Sequence, residues 1–219
     1  MHRPPEPRGD HASLAERSPW IVTDQPSELL TETPVGVLHP ARRGGRVTNA
    51  EMVVGRMTVK NRLIRCRTTD FDTGTVLIRL SDVIYVTTGK HTINETTVDT
   101  VLIRHLQPPS SVVTTALHVW DDRERDVFVD YVTRYYRKQK RELIGLELTD
   151  EQHELLVTLY SGINQFDITD VLSRPTEEIR SLFGPLREAG LVGQGGAGSM
   201  LTGRGFMYAN ELFEDDDAM

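Results

Sequence analysis

Apolar and polar residues alternate between Val53 and Lys60: Val53, Gly55, Met57 and Val59 on one side, Val54, Arg56, Thr58 and Lys60 on the other. A two-residue period is that of a half-buried strand. The same signal returns after the Asp72-Thr73-Gly74 turn, in Val76, Ile78 and Leu80, and again in Val113, Thr115, Leu117 and Val119. Between these lie further strand-like runs, Val35 to Leu38, Leu63 to Thr68, Val83 to Thr87 and Val98 to Leu106. Pro40 is expected to stop the first of them and Gly89-Lys90 to stop the third. ARRGGRVT, Ala41 to Thr48, reads as a basic turn containing glycine.

The period then changes. Asp121 to Glu142, DDRERDVFVDYVTRYYRKQKRE, carries Phe128, Val132, Tyr135 and Tyr136 at helical spacing. Acids crowd its first turn and bases its last turns, the polarity that a helix dipole favours. Asp121 and Glu124 have the spacing of a capping box. The chain before this helix reads as strands and the chain after it as short helices. The helix is therefore expected to close one module and lead into another.

Beyond Gly145, Thr149 and Gln152 form a second capping-box pair, followed by Leu155, Leu156 and Leu159 on one face. Phe166, Ile168, Val171 and Leu172 suit a short helix that ends before Pro175. Thr176 opens a third helix bearing Ile179, Leu182, Phe183 and Leu186, with Gly184-Pro185 expected to kink it. GQGGAGS, Gly193 to Ser199, is a hairpin tip, and Thr202-Gly203 opens a last helix through Leu212. The expected fold class is α+β. Residues 1–33 are read as a disordered, proline-rich tail. Residues 34–145 are read as a pleckstrin-homology-like β-module, an open barrel of six or seven strands closed by the long helix. Residues 146–213 are read as a winged helix-turn-helix domain, and 214–219 as a solvated acidic tail.

Composition narrows the function classes. The 219 residues contain 25 Lys and Arg against 32 Asp and Glu, a net charge of −7. Such a chain is a poor general binder of polyanions. The single cysteine, Cys66, excludes an internal disulfide and any zinc site built from cysteines. The seven histidines are scattered, so no metal and no cofactor is expected. No apolar run is long enough to cross a membrane and no apolar signal core opens the chain, so a soluble, cytoplasmic protein is the default. Nucleophile-elbow, P-loop, dinucleotide-fingerprint and zincin motifs are all missing, and Gly195 to Gly198 lies between strands instead of opening a helix. The expectation is a protein that is not an enzyme.

The distribution of charge is more telling than its sum. From Arg42 to Arg67 there are eight bases and one acid, Glu51. From Thr149 to Phe213 there are four bases against nine acids, a net −5. A DNA reader neutralises phosphates with Lys and Arg. Here the would-be recognition helix begins Thr176-Glu177-Glu178 and the wing has no base. A winged helix that contacts protein is the preferred reading, with a transcription regulator as one alternative. The basic β-module allows another, a module that binds anionic headgroups.

HPARRGGRVT, His39 to Thr48, resembles the HPARxGGRVT segment of the archaeal taxis protein family CheF. The order that follows is also similar: strands, a long closing helix, LTDEQHELLVTLYSG (Leu148 to Gly162) and a winged helix ending in LTGRG (Leu201 to Gly205). The resemblance covers residues 34–213. It implies an adaptor that connects a CheY-type response regulator to the cytoplasmic accessory proteins of the archaellum motor. Family members carry another β-module before the HPAR segment, so the resemblance is to a shortened member.

A phosphorylated regulator presents added negative charge, which seeks arginine forks and exposed backbone N–H groups. The richest such stretch is Arg42, Arg43, Gly44, Gly45 and Arg46. With Arg62 or Arg65 nearby, it is the expected docking site, and the acidic winged helix is expected to face the motor. The competing reading of ARRGG is a tight turn that the barrel requires.

Overall fold

A computed structural model describes residues 30–68, 74–93, 95–107, 111–163, 167–195 and 198–216. The alternating stretches become an eight-stranded antiparallel sheet. Its members are β1 (Thr33–Arg43), β2 (Arg46–Val47), β3 (Val53–Lys60), β4 (Leu63–Thr68), β5 (Thr75–Arg79), β6 (Val83–Ile93), β7 (Thr96–Gln107) and β8 (Ser111–Val119). The order is β5-β4-β3-β1-β8-β7-β6, with β2 paired to β1. The outermost strands of this path, β5 and β6, are consecutive in sequence and joined by one 3-10 turn, Leu80–Asp82. A sheet whose two ends are tied by three residues has to curl. The curl gathers Val35, Val37, Met57, Ile64, Ile78, Ile103 and Leu117 into one buried core.

Two strands run further than their breakers imply. β1 continues through a cis His39–Pro40 bond, and its register with β8 shifts between Leu38 and Arg42. Proline removes a ladder hydrogen bond, and the irregularity absorbs that loss where a strand end was expected. β6 passes through Gly89-Lys90 to Ile93. Gly89 stands opposite Thr100, whose hydroxyl donates to the Gly89 carbonyl at 3.2 Å. The expected tail also ends earlier than residue 33. Leu30 is fully buried, and its carbonyl accepts from Val59 N–H at 2.9 Å. The rest of that tail, residues 1–29, lies outside the described residues.

Helix α1 (Asp122–Ile144) follows β8 directly. Asp121 caps it by accepting from Glu124 N–H at 2.9 Å. Glu124 does not return the bond within the helix; its carboxylate accepts from the Thr33 hydroxyl at 3.2 Å and so ties the helix start to β1. Phe128 and Val132 are buried in the sheet's core, with Tyr131, Tyr135 and Tyr136 packed at its margin.

The second module contains α2 (Asp150–Tyr160), α3 (Ile168–Leu172), α4 (Thr176–Glu188), β9 (Val192–Gly195), β10 (Gly198–Leu201) and α5 (Gly203–Asp216). The Thr149–Gln152 capping box forms in both directions, at 3.4 and 3.0 Å. α4 remains one helix across Gly184-Pro185, and Ile179, Phe183 and Leu186 are buried along it. Of the residues expected to pack from α3, Ile168 is buried but Val171 is half exposed; Phe166 lies outside the described residues. Residues 196 and 197, in the expected hairpin tip, also lie outside them. The α5 backbone runs to Asp216, so a helix covers Glu214 to Asp216, where a solvated tail was expected.

α1 belongs to both cores. Leu143 is buried with Leu155, Leu156 and Met207, and Tyr136 packs on both clusters. α5 supplies the second link. A Cβ on Gly203 would stand 2.6 Å from the Ser81 carbonyl oxygen, so only glycine lets α5 start against the 3-10 turn. Arg204–Glu142 at 2.9 Å and Lys140–Glu211 at 2.6 Å then bind α5 along α1.

Phe128→Ala is expected to cost about 3–5 kcal/mol, because a buried ring leaves a cavity that rigid strands cannot fill. Urea unfolding measures it, and an unchanged midpoint would remove α1 from the sheet's core. Gly203→Ala is expected to cost about 1–3 kcal/mol by overpacking. Limited proteolysis should then release the second module first.

Candidate anion-docking surface

The ARRGG segment is the two-residue hairpin between β1 and β2, with Arg43 paired to Arg46. Gly44 and Gly45 have φ of 53° and 80°. Two positive φ values in a two-residue loop match the twist of the flanking strands, and glycine accepts them without strain. The turn therefore accounts for both glycines. The Gly44 N–H is already used: it donates to the Val112 carbonyl at 3.2 Å. That removes it from the exposed amides expected to meet an anion. Arg42, Arg43 and Arg46 all remain exposed.

Arg62 and Arg65 do not join this group through the sheet. β3 pairs with β1 from Thr33↔Met57 to Val37↔Val53, short of the hairpin. Arg65 is opposite Thr58, beyond the start of β1, whereas the hairpin closes the other end of that strand. Arg62 sits in the β3–β4 turn with φ of 61°, and its guanidinium lies 5.6 Å from the centre of the Tyr135 ring. It braces α1 by a cation–π contact. Arg65 instead shares the outer face of β3–β4–β5 with Arg56, Lys60, Arg67 and Arg79. Arg56 and Arg67 are directly opposite each other there, an arrangement of like charges that costs stability. Glu32 offsets it: its carboxylate pairs with Arg67 and its carbonyl accepts from Arg56 at 3.0 Å.

The partners that the fold gives the hairpin come from far along the chain. Register places Arg42 opposite Thr114, Thr114 opposite Arg104, and Arg104 opposite Tyr85. These four form one row across β1, β8, β7 and β6. The next row on the same face is Leu38, Ala116, Leu102 and Thr87. Both rows line a concavity of about 410 Å³, bordered by Val47, Thr48, Lys90 and His91. Among the described residues no Asp or Glu lines it. Sequence reading missed Arg104 because a row across four strands depends on pairings that no local pattern encodes.

Beneath the other face, half-buried His39 and buried Thr115 and His105 form a relay. His105 Nδ1 donates to the Leu106 carbonyl at 3.1 Å, so its Nε2 accepts the Thr115 hydroxyl proton at 2.9 Å. Thr115 Oγ1 in turn accepts from His39 Nδ1 at 2.8 Å. Acceptance at Nε2 requires a neutral His105, whereas His39 only donates, which either protonation state allows. Burial, then the neighbouring His105 and Arg43, pulls the His39 pKa down to about 4; burial lowers that of His105 as well.

In the second module every base is held within the molecule. Arg174 pairs with Glu154, Arg180 with Glu177 and Arg204 with Glu142. Arg187 donates to the Ser199 hydroxyl at 2.7 Å and stacks over Phe183. α4 opens with Glu177 and Glu178 in its first turn. The surface around it is left acidic.

Residues 22–141 match the family described as archaeal chemotaxis signal transduction system protein F. That is more than half of the chain, and it takes in the whole curled sheet and nearly all of α1. The chain belongs to this family. Residues 147–213 match a domain of unknown function, DUF8579, which coincides with the second module. Two curated relatives come from Halobacterium salinarum. Taxis protein CheF2 is 29% identical over 187 residues, covering 85% of this chain and 63% of its own length. Taxis protein CheF1 is 25% identical over 180 residues, covering 82% and 60%. The chain thus spans about three fifths of the length of each. Among the described residues no helix is long and apolar enough to cross a membrane.

The two lowered histidine pKa values set a pH dependence. A free imidazole has an ordinary value of 6.5, and His39 in the fold about 4. Within that window the unfolded chain binds protons that the folded chain refuses. Stability is therefore complete above about pH 6.5 and declines as pH falls toward 4. Urea midpoints between pH 7 and 5 should drop, and His39→Gln should flatten the slope. Cys66 is fully buried, and burial pushes its thiol pKa up to about 12. An aromatic disulfide reagent should label it only after unfolding.

Proposed function

We propose that this protein is a non-enzymatic adaptor in archaeal taxis, linking a phosphorylated CheY-type response regulator to cytoplasmic accessory proteins of the archaellum motor. The observation that carries this reading is the separation of charge between two joined modules. The curled sheet displays unopposed arginines at its hairpin, and the second module keeps its bases paired and its α4 start acidic. An adaptor needs two chemically different faces on one rigid body. The strand order, with α1 closing the sheet, supports a pleckstrin-homology-like barrel. Three helices, a hairpin and a final helix support a winged helix-turn-helix.

Docking of the regulator is assigned to Arg42, Arg43 and Arg46. Their guanidinium groups are exposed on a hairpin whose backbone is pinned to β8, so little side-chain scaffold has to be ordered on binding. The acidic second module faces the motor side. In a salt-rich cytoplasm the Debye length falls to about 3 Å at 1 M. Hydrogen bonds at contact then outweigh long-range attraction.

Replacing Arg42, Arg43 and Arg46 together by Gln should abolish capture of the phosphorylated regulator while leaving the melting temperature unchanged. Wild-type capture by that folded triple variant would move the docking site elsewhere. A transcription regulator would need free bases on α4 or the wing. A mobility-shift screen should find no specific duplex. One observation favours a second reading, a headgroup-binding module: Arg56, Lys60, Arg65, Arg67 and Arg79 share one outer face. Co-sedimentation with anionic vesicles, lost on replacing those five, would support it.

A further inference from the structure

The concavity on the outer face of β1, β8, β7 and β6 has features that, Arg42 apart, partner docking does not use. Arg42 and Arg104 flank Thr114 in a single row, two strand spacings apart, or about 10 Å. Both side chains are long enough to converge over the Thr114 hydroxyl. Among the described residues, neither arginine makes an ion pair. Asp99 alternates with Thr100 and falls on the other face of β7, and Glu51 follows the lining residue Ala50 without itself lining the cavity. Glu32 offsets the crowding of Arg56 and Arg67, and no described acid does the same between Arg42 and Arg104.

Two guanidinium forks and a hydroxyl directed at one point suit a dianion better than a single carboxylate charge. The adjoining row is apolar. Leu38, Ala116 and Leu102 lie side by side, and Tyr85, 45% exposed, stands at the end of the cationic row. Leu38 and Ala116 are themselves buried, so the apolar surface open to a ligand is that of half-buried Leu102 and of Tyr85. A volume of about 410 Å³ is in the range of small-molecule sites.

We propose that this concavity binds a small organic phosphate, with the phosphate held over Thr114 by Arg42 and Arg104 and the apolar or aromatic body laid on Leu102 beside Tyr85. The site lies on the sheet's outer surface, away from the histidine relay inside. It stands independently of the adaptor reading, since it shares only Arg42 with the hairpin surface.

Isothermal titration calorimetry on the full chain tests it with adenosine 5′-monophosphate, ribose 5-phosphate, inorganic phosphate and adenosine as probes. The organic phosphates should bind at one site. Adenosine, which lacks the dianion, should not bind, and inorganic phosphate should bind at least tenfold more weakly. Arg104→Gln should weaken binding of the organic phosphates at least tenfold and Thr114→Val severalfold, whereas Arg123→Gln, on the exposed start of α1, should leave it unchanged. Arg104→Lys guards against misfolding of the glutamine variant: it keeps the charge and loses the fork, and should still lose most of the affinity. No heat from either organic phosphate at millimolar concentration overturns the proposal. So does wild-type affinity in the folded Arg104→Gln and Thr114→Val variants, or equal weakening by Arg123→Gln, which would reveal diffuse attraction. Regulator capture by Arg104→Gln separates the two readings: capture retained with phosphate binding lost leaves the adaptor reading untouched.

Discussion

Burial of one helix in two cores is the constraint on which the rest of the molecule depends. Phe128 and Val132 fill the space inside the curled sheet, and three turns later Leu143 enters the core of the helical module. A helix that is buried at both ends cannot rotate to improve one contact without spoiling the other. The spacing of its apolar residues therefore sets the angle between the modules. The polar residues between them follow: Lys140 and Glu142 face α5, and Tyr135 receives Arg62 from the β3–β4 turn. The sheet needs this helix as well. Its path ends at β5 and β6, and α1 packs under the turn that joins them.

Much of the fold was legible because local chemistry and tertiary packing agree. Alternation marked β3, β5 and β8; caps marked α1 and α2; and the composition of each half marked the change of module. The misses have physical causes. Pro40 and Gly89 read as breakers, yet each lies where a strand partner or an irregular register compensates for its defect. Leu30 was hidden among prolines and charges, because a single apolar residue has no period.

The candidate site was legible only in part. The hairpin was visible as two glycines among arginines, and their positive φ angles explain that composition. Its surroundings were not visible. Arg62 and Arg65 are near in sequence and belong to other surfaces; Arg104 is 62 residues beyond Arg42 and lies in the same row. Sequence proximity reports on turns, and function at a sheet surface depends on register. The linked pair His39 and His105 was likewise unreadable, since scattered histidines carry no spacing signal.

The two links between the modules have a mechanical consequence. A pair of bodies joined by one segment behaves as a hinge, and a load on one is lost as bending. Here the chain crosses in α1 and then returns, so that α5 starts hard against the 3-10 turn at Gly203. Two separated points of attachment resist torsion as well as flexure. Twisting one body against the other would have to open the Arg204–Glu142 and Lys140–Glu211 pairs and withdraw α5 from the turn together. A force received at the hairpin would reach the acidic face of α4 as displacement of a single rigid lever, with little dissipated at the joint.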